Sequence, residues 1–488
     1  MHFSSKTIAK LVGMILMILG IAMLPSLICA LCTSDQTCLY AFGISTPLSF
    51  GIGLCMYLLI PRSRKGLLQR DGYLAVVVCW ISGAVIGALP YILSGFLPHF
   101  YDAFFESMSG LSTTGATVTR ASMPAALILW KAMMHWLGGM GILIFIIAIL
   151  PALGVGGQRI ASAEAPGSEL AKMSPRINDI SKMLYLIYST MTGIEFLLLW
   201  LGSTMGPFEA LVNTLGSIST AGLLYHQGAV SAYQSLFVEL VISIFTIFSS
   251  TNFIVYISLI TKSFKQIAHN IEVRTYFGII AAASILIAII LKVSGTCATF
   301  GIALRHGFFQ AVTFASTSGF YLDDYTSWPI SAQIILFTLM FIGGCAASTS
   351  GSLKVFRLVI MVKLIKRGAY RRIHPHAVRS IRIGDTVITS RLASAVTSFA
   401  ILFGVTFVLS SIVISLSGCS LETATSTAIS LMSTTGGSFG AIGAEACYNM
   451  FAPGMKLFLS LLMMVGRLEL FTVFIMFSGS FWNPNRAT

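Results

Sequence analysis

The sequence predicts an all-α polytopic membrane protein: four pseudo-repeated units of helix, pore loop and helix around a central pore, preceded by two further transmembrane helices. Of its 488 residues 56% are hydrophobic and only 10% are charged, with mean hydropathy +0.87, too little polar surface to coat a soluble globule of this size. Apolar runs of the roughly twenty residues that one crossing requires recur about ten times. The tetrapeptide Ser-Thr-x-Gly occurs four times, each time closing a shorter segment that sits between two such runs.

In chain order, the first two crossings lie at 10–31 and 41–60, within an N-terminal part spanning 1–71. Lys6 and Lys10 precede the first run and no small-residue cleavage signature follows a short apolar core, so it reads as a retained span. The first pore unit, 72–157, places the short segment 99–114 between crossings 73–94 and 128–152. In the second, 158–274, segment 207–221 lies between 182–203 and 232–261. The third, 275–390, places 300–318 between 275–294 and 332–364, and the fourth, 391–488, places 420–435 between 392–418 and 454–479. The repeat is about one hundred residues long, right for a hairpin of two membrane helices and too long for a soluble solenoid unit.

Non-helical backbone at membrane depth is tolerated only where protein buries it or a wet cavity adjoins it, so the four loops should face one axis. They consist of Ser112, Thr113, Thr114 and Gly115; Ser219, Thr220, Ala221 and Gly222; Ser316, Thr317, Ser318 and Gly319; and Ser433, Thr434, Thr435 and Gly436. Backbone carbonyls and hydroxyls supply a dehydrated monovalent cation with several oxygens and no trapping charge. Glycine permits dihedrals closed to other residues, and a half-helix ending at the loop aims the negative end of its dipole at the ion. One such tetrapeptide would be noise among membrane helix contacts; four at equivalent places are not.

Charge gives the loops a direction. If the ten crossings alternate, 23 of the 30 Lys and Arg fall on one side, at Lys6 and Lys10 and within 61–71, 158–182, 262–274 and 354–391. That side is cytoplasmic by the positive-inside rule, which places the N-terminus inside and has all four loops enter from outside. The same rule accounts for the net charge of +13 without nucleic acid. Asp102, Glu106, Glu209, Asp323, Asp324, Glu422 and Glu445 then lie near the outer mouth, where acids draw cations in. Lys131 and His135 share a face of the fourth span, with Lys131 near its outer end, where snorkelling suffices.

Other chemistries find little support. The nine cysteines give no disulfide or zinc framework. The eight histidines are scattered, without HExxH or GxSxG, so no enzyme is expected. Gly154-Val155-Gly156-Gly157 follows a membrane helix and is not a strand-to-helix nucleotide fingerprint. No cofactor is expected on this chain.

Longer strings carry a family resemblance. They are Asp102-Ala103-Phe104-Phe105-Glu106-Ser107 through Thr117, Gly138-Gly139-Met140-Gly141 leading to Ile149-Leu150-Pro151, and Ala163-Glu164-Ala165-Pro166-Gly167. Phe341-Ile342-Gly343-Gly344-Cys345-Ala346, His374-Pro375 and Gly466-Arg467-Leu468-Glu469 complete the set. The chain closely resembles the Trk/Ktr/HKT superfamily of potassium transporters, in particular the bacterial TrkH/TrkG type of membrane subunit, nearly end to end. The resemblance implies potassium as the substrate ion, bound at the four loops, and a homodimer in the bacterial cytoplasmic membrane with one pathway per subunit. It also implies a cytoplasmic TrkA-type regulatory subunit, which alone would carry nucleotide, NAD or ATP/ADP. Glycine at all four filter positions goes with potassium in this family, whereas serine in the first unit goes with sodium preference in some relatives.

Below the filter, the run Gly343, Gly344, Cys345, Ala346, Ala347, Ser348, Thr349, Ser350, Gly351 and Ser352 is too rich in glycine and small polar residues to favour a helix at membrane depth. The resemblance makes it an intramembrane gating loop. Arg467 lies inside the last span, where a charge usually faces a cavity or a partner, and is expected to project into the conduit and meet this loop. Glu469, two residues on, points to another helix face. Channel-like permeation is expected, because the only acids within spans are Glu195, Glu239 and Glu469; a secondary symporter coupled to protons or sodium is the alternative.

Overall fold

Lys and Arg gather between long apolar helices, and a computed structural model describes those helices over residues 5–61, 69–152, 177–225, 229–260, 270–375, 380–383 and 386–482. The strings Gly154–Gly157 and Ala163–Gly167 lie outside the described residues. Six described helices are long and apolar enough to cross a membrane: Ser5–Cys32, Gln36–Leu59, Arg70–Leu93, Lys182–Gly202, Ile271–Val293 and Ser390–Ser415. The bent pair Pro453–Arg467 and Phe471–Phe477 makes a seventh when its two halves are taken as one span. The first of these is interrupted at Met23, where Pro25 enters the next helical turn and removes a backbone donor.

The remaining expected crossings are helical but differ in form. Ala125–Ala152 forms one helix of 28 residues. The sixth breaks at Thr251 and Asn252 into Leu236–Ser250 and Phe253–Ile260, because Thr251 turns to extended dihedrals. The eighth stops at Ile342, where Gly343 takes φ +71°, and resumes only at Val355 to run as Val355–Ile373. The tenth bends by 111° after Arg467. A continuous apolar run hides such breaks, since hydropathy averages over the residues that turn.

Four short helices fill the places expected for them: αP1 (Phe100–Leu111), αP2 (Pro207–Ile218), αP3 (Phe300–Ala315) and αP4 (Leu421–Ser433). Their 12 to 16 residues reach about 18–24 Å at 1.5 Å per residue, short of the roughly 30 Å hydrocarbon core. Local chemistry starts them: Pro207 opens αP2, the Thr299 hydroxyl accepts from Ile302 N at 3.3 Å, and Ser420 accepts from Thr423 N at 3.2 Å. Their C-terminal halves are deeply enclosed, as in the wholly buried stretch Ala103–Leu111. A two-stranded antiparallel hairpin, Ile381–Ile383 with Thr386–Ile388, lies in the basic connection before Ser390–Ser415.

Candidate ion pathway

Each short helix ends in the same way. The second motif residue takes a left-handed conformation, with φ +56° at Thr113, +53° at Thr220, +59° at Thr317 and +59° at Thr434, and each motif glycine follows at φ +69° to +80°. Between them, the third residue's N–H turns back into its own helix: Thr114 to Ser109 O at 3.0 Å, Ala221 to Gly216 O at 2.9 Å, Ser318 to Thr313 O at 2.9 Å and Thr435 to Ser430 O at 2.8 Å. A left-handed threonine is costly for an L residue, and its fourfold recurrence marks a shared constraint.

The constraint is the neighbouring loop. A Cβ placed on Gly115 would sit 1.9 Å from Ala221 O; on Gly222, 2.2 Å from Ser318 O; on Gly319, 1.8 Å from Thr435 O; on Gly436, 2.1 Å from Thr114 O. The order runs from loop one to two, three, four and back to one. The four motifs therefore form a closed ring, with one carbonyl from each loop against the preceding loop's glycine. Only a residue without Cβ fits at those positions. The negative ends of four helix dipoles converge on the same ring.

Hydroxyls support the ring from behind. Ser112 and Thr114 share a hydrogen bond of 2.7 Å, Ser433 and Thr435 one of 2.7 Å, and Ser316 and Ser318 one of 3.2 Å. In loop two Ala221 offers no hydroxyl, and Ser219 bonds to Leu215 O at 2.6 Å instead. At the base, Thr220 Oγ1 meets Thr349 Oγ1 at 3.2 Å and Thr317 Oγ1 accepts from Gly351 N at 3.0 Å. The buried hydroxyls of Thr113 and Thr434 have no hydrogen-bond partner among the described residues.

Gly343–Ser352 lies directly beneath. Thr349 N and Oγ1 donate to Ser249 O at 3.2 and 3.0 Å, and Cys345 N donates to Ser250 O at 2.9 Å. The Glu272 carboxylate accepts from Ala346 N at 2.6 Å. Gly351 abuts loop four so closely that a Cβ there would lie 2.3 Å from Ser433 O. The segment thus touches loops two, three and four while remaining almost wholly buried. Arg467, 1% exposed, donates through Nη1 to Thr349 O and through Nη2 to Gly138 O at 2.9 Å. A guanidinium is therefore fixed between this segment and the helix behind loop one.

The bend after Arg467 turns Glu469, at φ +54°, toward two cations: Lys354 Nζ at 2.9 Å and Arg357 Nη2 at 2.6 Å. Arg357 also lies over the Phe399 ring at 3.9 Å. A carboxylate at membrane depth requires such partners, which accounts for the broken helix. Glu195 and Glu239 are also engaged, and the expectation that these two and Glu469 are the only acids within spans is corrected by Glu272, which lies buried in Ile271–Val293. Glu195 contacts the Ser217 hydroxyl of αP2, and Glu239 takes Arg305 of αP3 in a two-pronged ion pair at 2.6 and 2.5 Å.

Several sequence expectations need correction. Lys131 does not snorkel to the surface; it is 3% exposed and pairs with Glu106 at 2.5 Å, because the exit of loop one covers it. Glu106 is not a mouth charge but is fully buried behind loop one. Asp102 is matched by Lys456 at 2.5 Å and Glu445 by Arg120 at 2.9 Å, so the net pull of the mouth acids on cations is smaller than their number suggests, while Asp323 contacts His306 at 2.6 Å. The His306 imidazole holds the Asp323 carboxyl below the usual carboxylate range. His135 is fully buried on the helix that carries Lys131. Sequence spacing offered no signal for these pairs, whose members are 17 to 354 residues apart.

A helical membrane protein whose glycine loops close a ring of oxygens at the ends of four half-helices is, by class, an ion-transporting membrane protein. The family model for TrkH, described as cation transport protein, matches residues 56–483. The chain belongs to the TrkH family. It is 33% identical to the Trk system potassium uptake protein TrkH of Escherichia coli, covering 99% of this chain and all of that protein. It is 32% identical to that of Halomonas elongata, covering 98% and 99%. The crystal structure of the potassium transporter TrkH from Vibrio parahaemolyticus superposes with a TM-score of 0.89 at 28% identity, over 99% of this chain and all of that one.

Proposed function

We propose that this chain takes up potassium by channel-like permeation through the ring formed at Gly115, Gly222, Gly319 and Gly436. The observation that carries the reading is the closed cycle of glycine-to-carbonyl contacts at 1.8 to 2.2 Å for a hypothetical Cβ, which gives a bare cation four equivalent backbone oxygens. The unpartnered hydroxyls of Thr113 and Thr434 add ligands at the base. The names of the relatives make potassium the ion. Glu195, Glu239, Glu272 and Glu469 are each engaged separately, which favours permeation over symport.

Gly343–Ser352 is the gate in this reading, and Arg467 holds it closed while placing a positive charge beneath the ring. Val355–Ile373 leaves the gate directly and exposes Lys366, Arg371 and Arg372, a fit for the acidic face of a TrkA-type cytoplasmic subunit that carries the nucleotide. The subunit forms a homodimer in the bacterial cytoplasmic membrane with its N-terminus inside. Potassium flux in liposomes, with and without that partner and with Gly115→Ser, tests the proposal. A reversal potential that tracks potassium alone and not pH supports it. Unaltered potassium preference in Gly115→Ser refutes the filter assignment.

A further inference from the structure

The four short helices share a buried polar position nine residues before the motif glycine: Glu106, Asn213, Gln310 and Thr427. Asn213 accepts from Tyr225 N at 2.9 Å, and Gln310 donates to Phe320 O at 3.1 Å, so each ties down the strand leaving its own loop. In unit four the adjacent Ser426 does this work, bonding Phe439 N and O at 3.2 Å each. Unit one alone uses a charge. Glu106 accepts from Thr117 Oγ1 at 3.1 Å, from Val118 N at 3.2 Å and from Lys131 Nζ at 2.5 Å. Lys131 in turn donates to Ala116 O, the carbonyl just past Gly115, at 3.2 Å.

The strand so held closes the ring. Loops one and four are neighbours in space but come from the two ends of the repeat, and Thr117 joins them: its N donates to Ala446 O at 3.0 Å and its O accepts from Tyr448 N at 2.7 Å. Tyr448 then donates its hydroxyl to Gly436 O at 2.8 Å. A continuous chain of bonds runs from Lys131 and Glu106 through Thr117 and Tyr448 to the glycine of loop four. Asp102–Lys456 and Arg120–Glu445 cross the same seam further out.

We propose that the Glu106–Lys131 pair is a specificity-determining positioning device, which fixes loop one against loop four and so sets the size of the ring for the permeating ion. The proposal rests on the ring being the potassium filter. A buried pair of this kind costs desolvation energy that neutral side chains at the equivalent places avoid, so its stiffness and direction are what it adds. Neither side chain reaches the ring itself; both act through Ala116, Thr117 and Val118.

The test is the potassium-to-sodium permeability ratio, read from reversal potentials in planar bilayers, for Glu106→Gln, Lys131→Met, the neutral double variant and Gly115→Ser. The ratio does not depend on how much protein folds, so a purely structural role leaves it unmoved. The expected result is a fall of about tenfold in each single variant, the scale on which residues that do not touch the ligand modulate a site they are coupled to. If a single variant does not assemble, the double variant, which leaves no unpaired charge, carries the same reading. Ratios within twofold of the parent for these variants, when Gly115→Ser does lower the ratio, overturn the positioning role. An unchanged ratio in Gly115→Ser overturns the filter reading beneath it.

Discussion

Replacing each motif glycine by alanine, one loop at a time, puts a Cβ where the neighbouring loop's carbonyl oxygen already sits. The built distances are 1.9 Å at Gly115, 2.2 Å at Gly222, 1.8 Å at Gly319 and 2.1 Å at Gly436, against the 3.0 Å below which such contacts essentially never occur. Each alanine must therefore push one carbonyl aside by about 1 Å, and also hold a left-handed φ at a cost of roughly 1–2 kcal/mol. A carbonyl oxygen with about half a unit charge, moved from ~3 to ~4 Å from a monovalent cation at an effective dielectric near 20, loses ~0.7 kcal/mol of attraction. The two costs bracket a fall in potassium conductance of about 3- to 30-fold per substitution, with weaker discrimination against sodium. Because the contacts are nearly equal around the ring, all four variants should show it, Gly319→Ala most and Gly222→Ala least. Single-channel conductance and reversal potential in bilayers measure both quantities. One silent position among the four would refute the reasoning, since a closed ring has no dispensable wall.

Removing Arg467 as Arg467→Ala should raise potassium flux in liposomes by about tenfold or more, since it takes away a unit charge fixed against the segment beneath the ring; unchanged flux would place it outside the gate. Glu469→Gln leaves Lys354 and Arg357 facing a neutral group and should cost about 3–5 kcal/mol, seen as a lower unfolding temperature in detergent. Adding Lys354→Met should restore part of that loss, and no recovery would mean the clamp is not electrostatic. External acid should act through Asp323: its lowered carboxyl pKa means the His306 contact stabilises fully above the ordinary value of 3.8 and is lost only as pH falls through the lowered value. Conductance against external pH should thus fall at a higher pH in His306→Gln than in the parent, and coincident profiles would exclude the pair as the cause.

The crossings and the four short helices were legible because apolar length and a repeated tetrapeptide are local signals. Glycine at the motif positions announced an unusual backbone, and the contacts at Gly115, Gly222, Gly319 and Gly436 give the reason. The left-handed threonines before them carried no such signal, since threonine is a poor residue for that conformation and only the ring enforces it. Buried ion pairs were the least legible. Glu106 looked like a mouth acid and Lys131 like a snorkelling residue, because a one-dimensional reading assigns each charge to the nearest water. The break after Arg467 was hidden within an apolar run, and it is explained only by Lys354 and Arg357, more than a hundred residues away.

All four walls of the ring belong to one polypeptide, in the cyclic order of their contacts. In a pore assembled from identical chains, every substitution is copied into every wall, so a change useful on one side is imposed on all. Here Ala221 can replace a hydroxyl in loop two alone, and a buried charge pair can stand behind loop one alone. A single-chain ring can therefore be adjusted one quarter at a time, with smaller steps in selectivity than symmetric assembly permits.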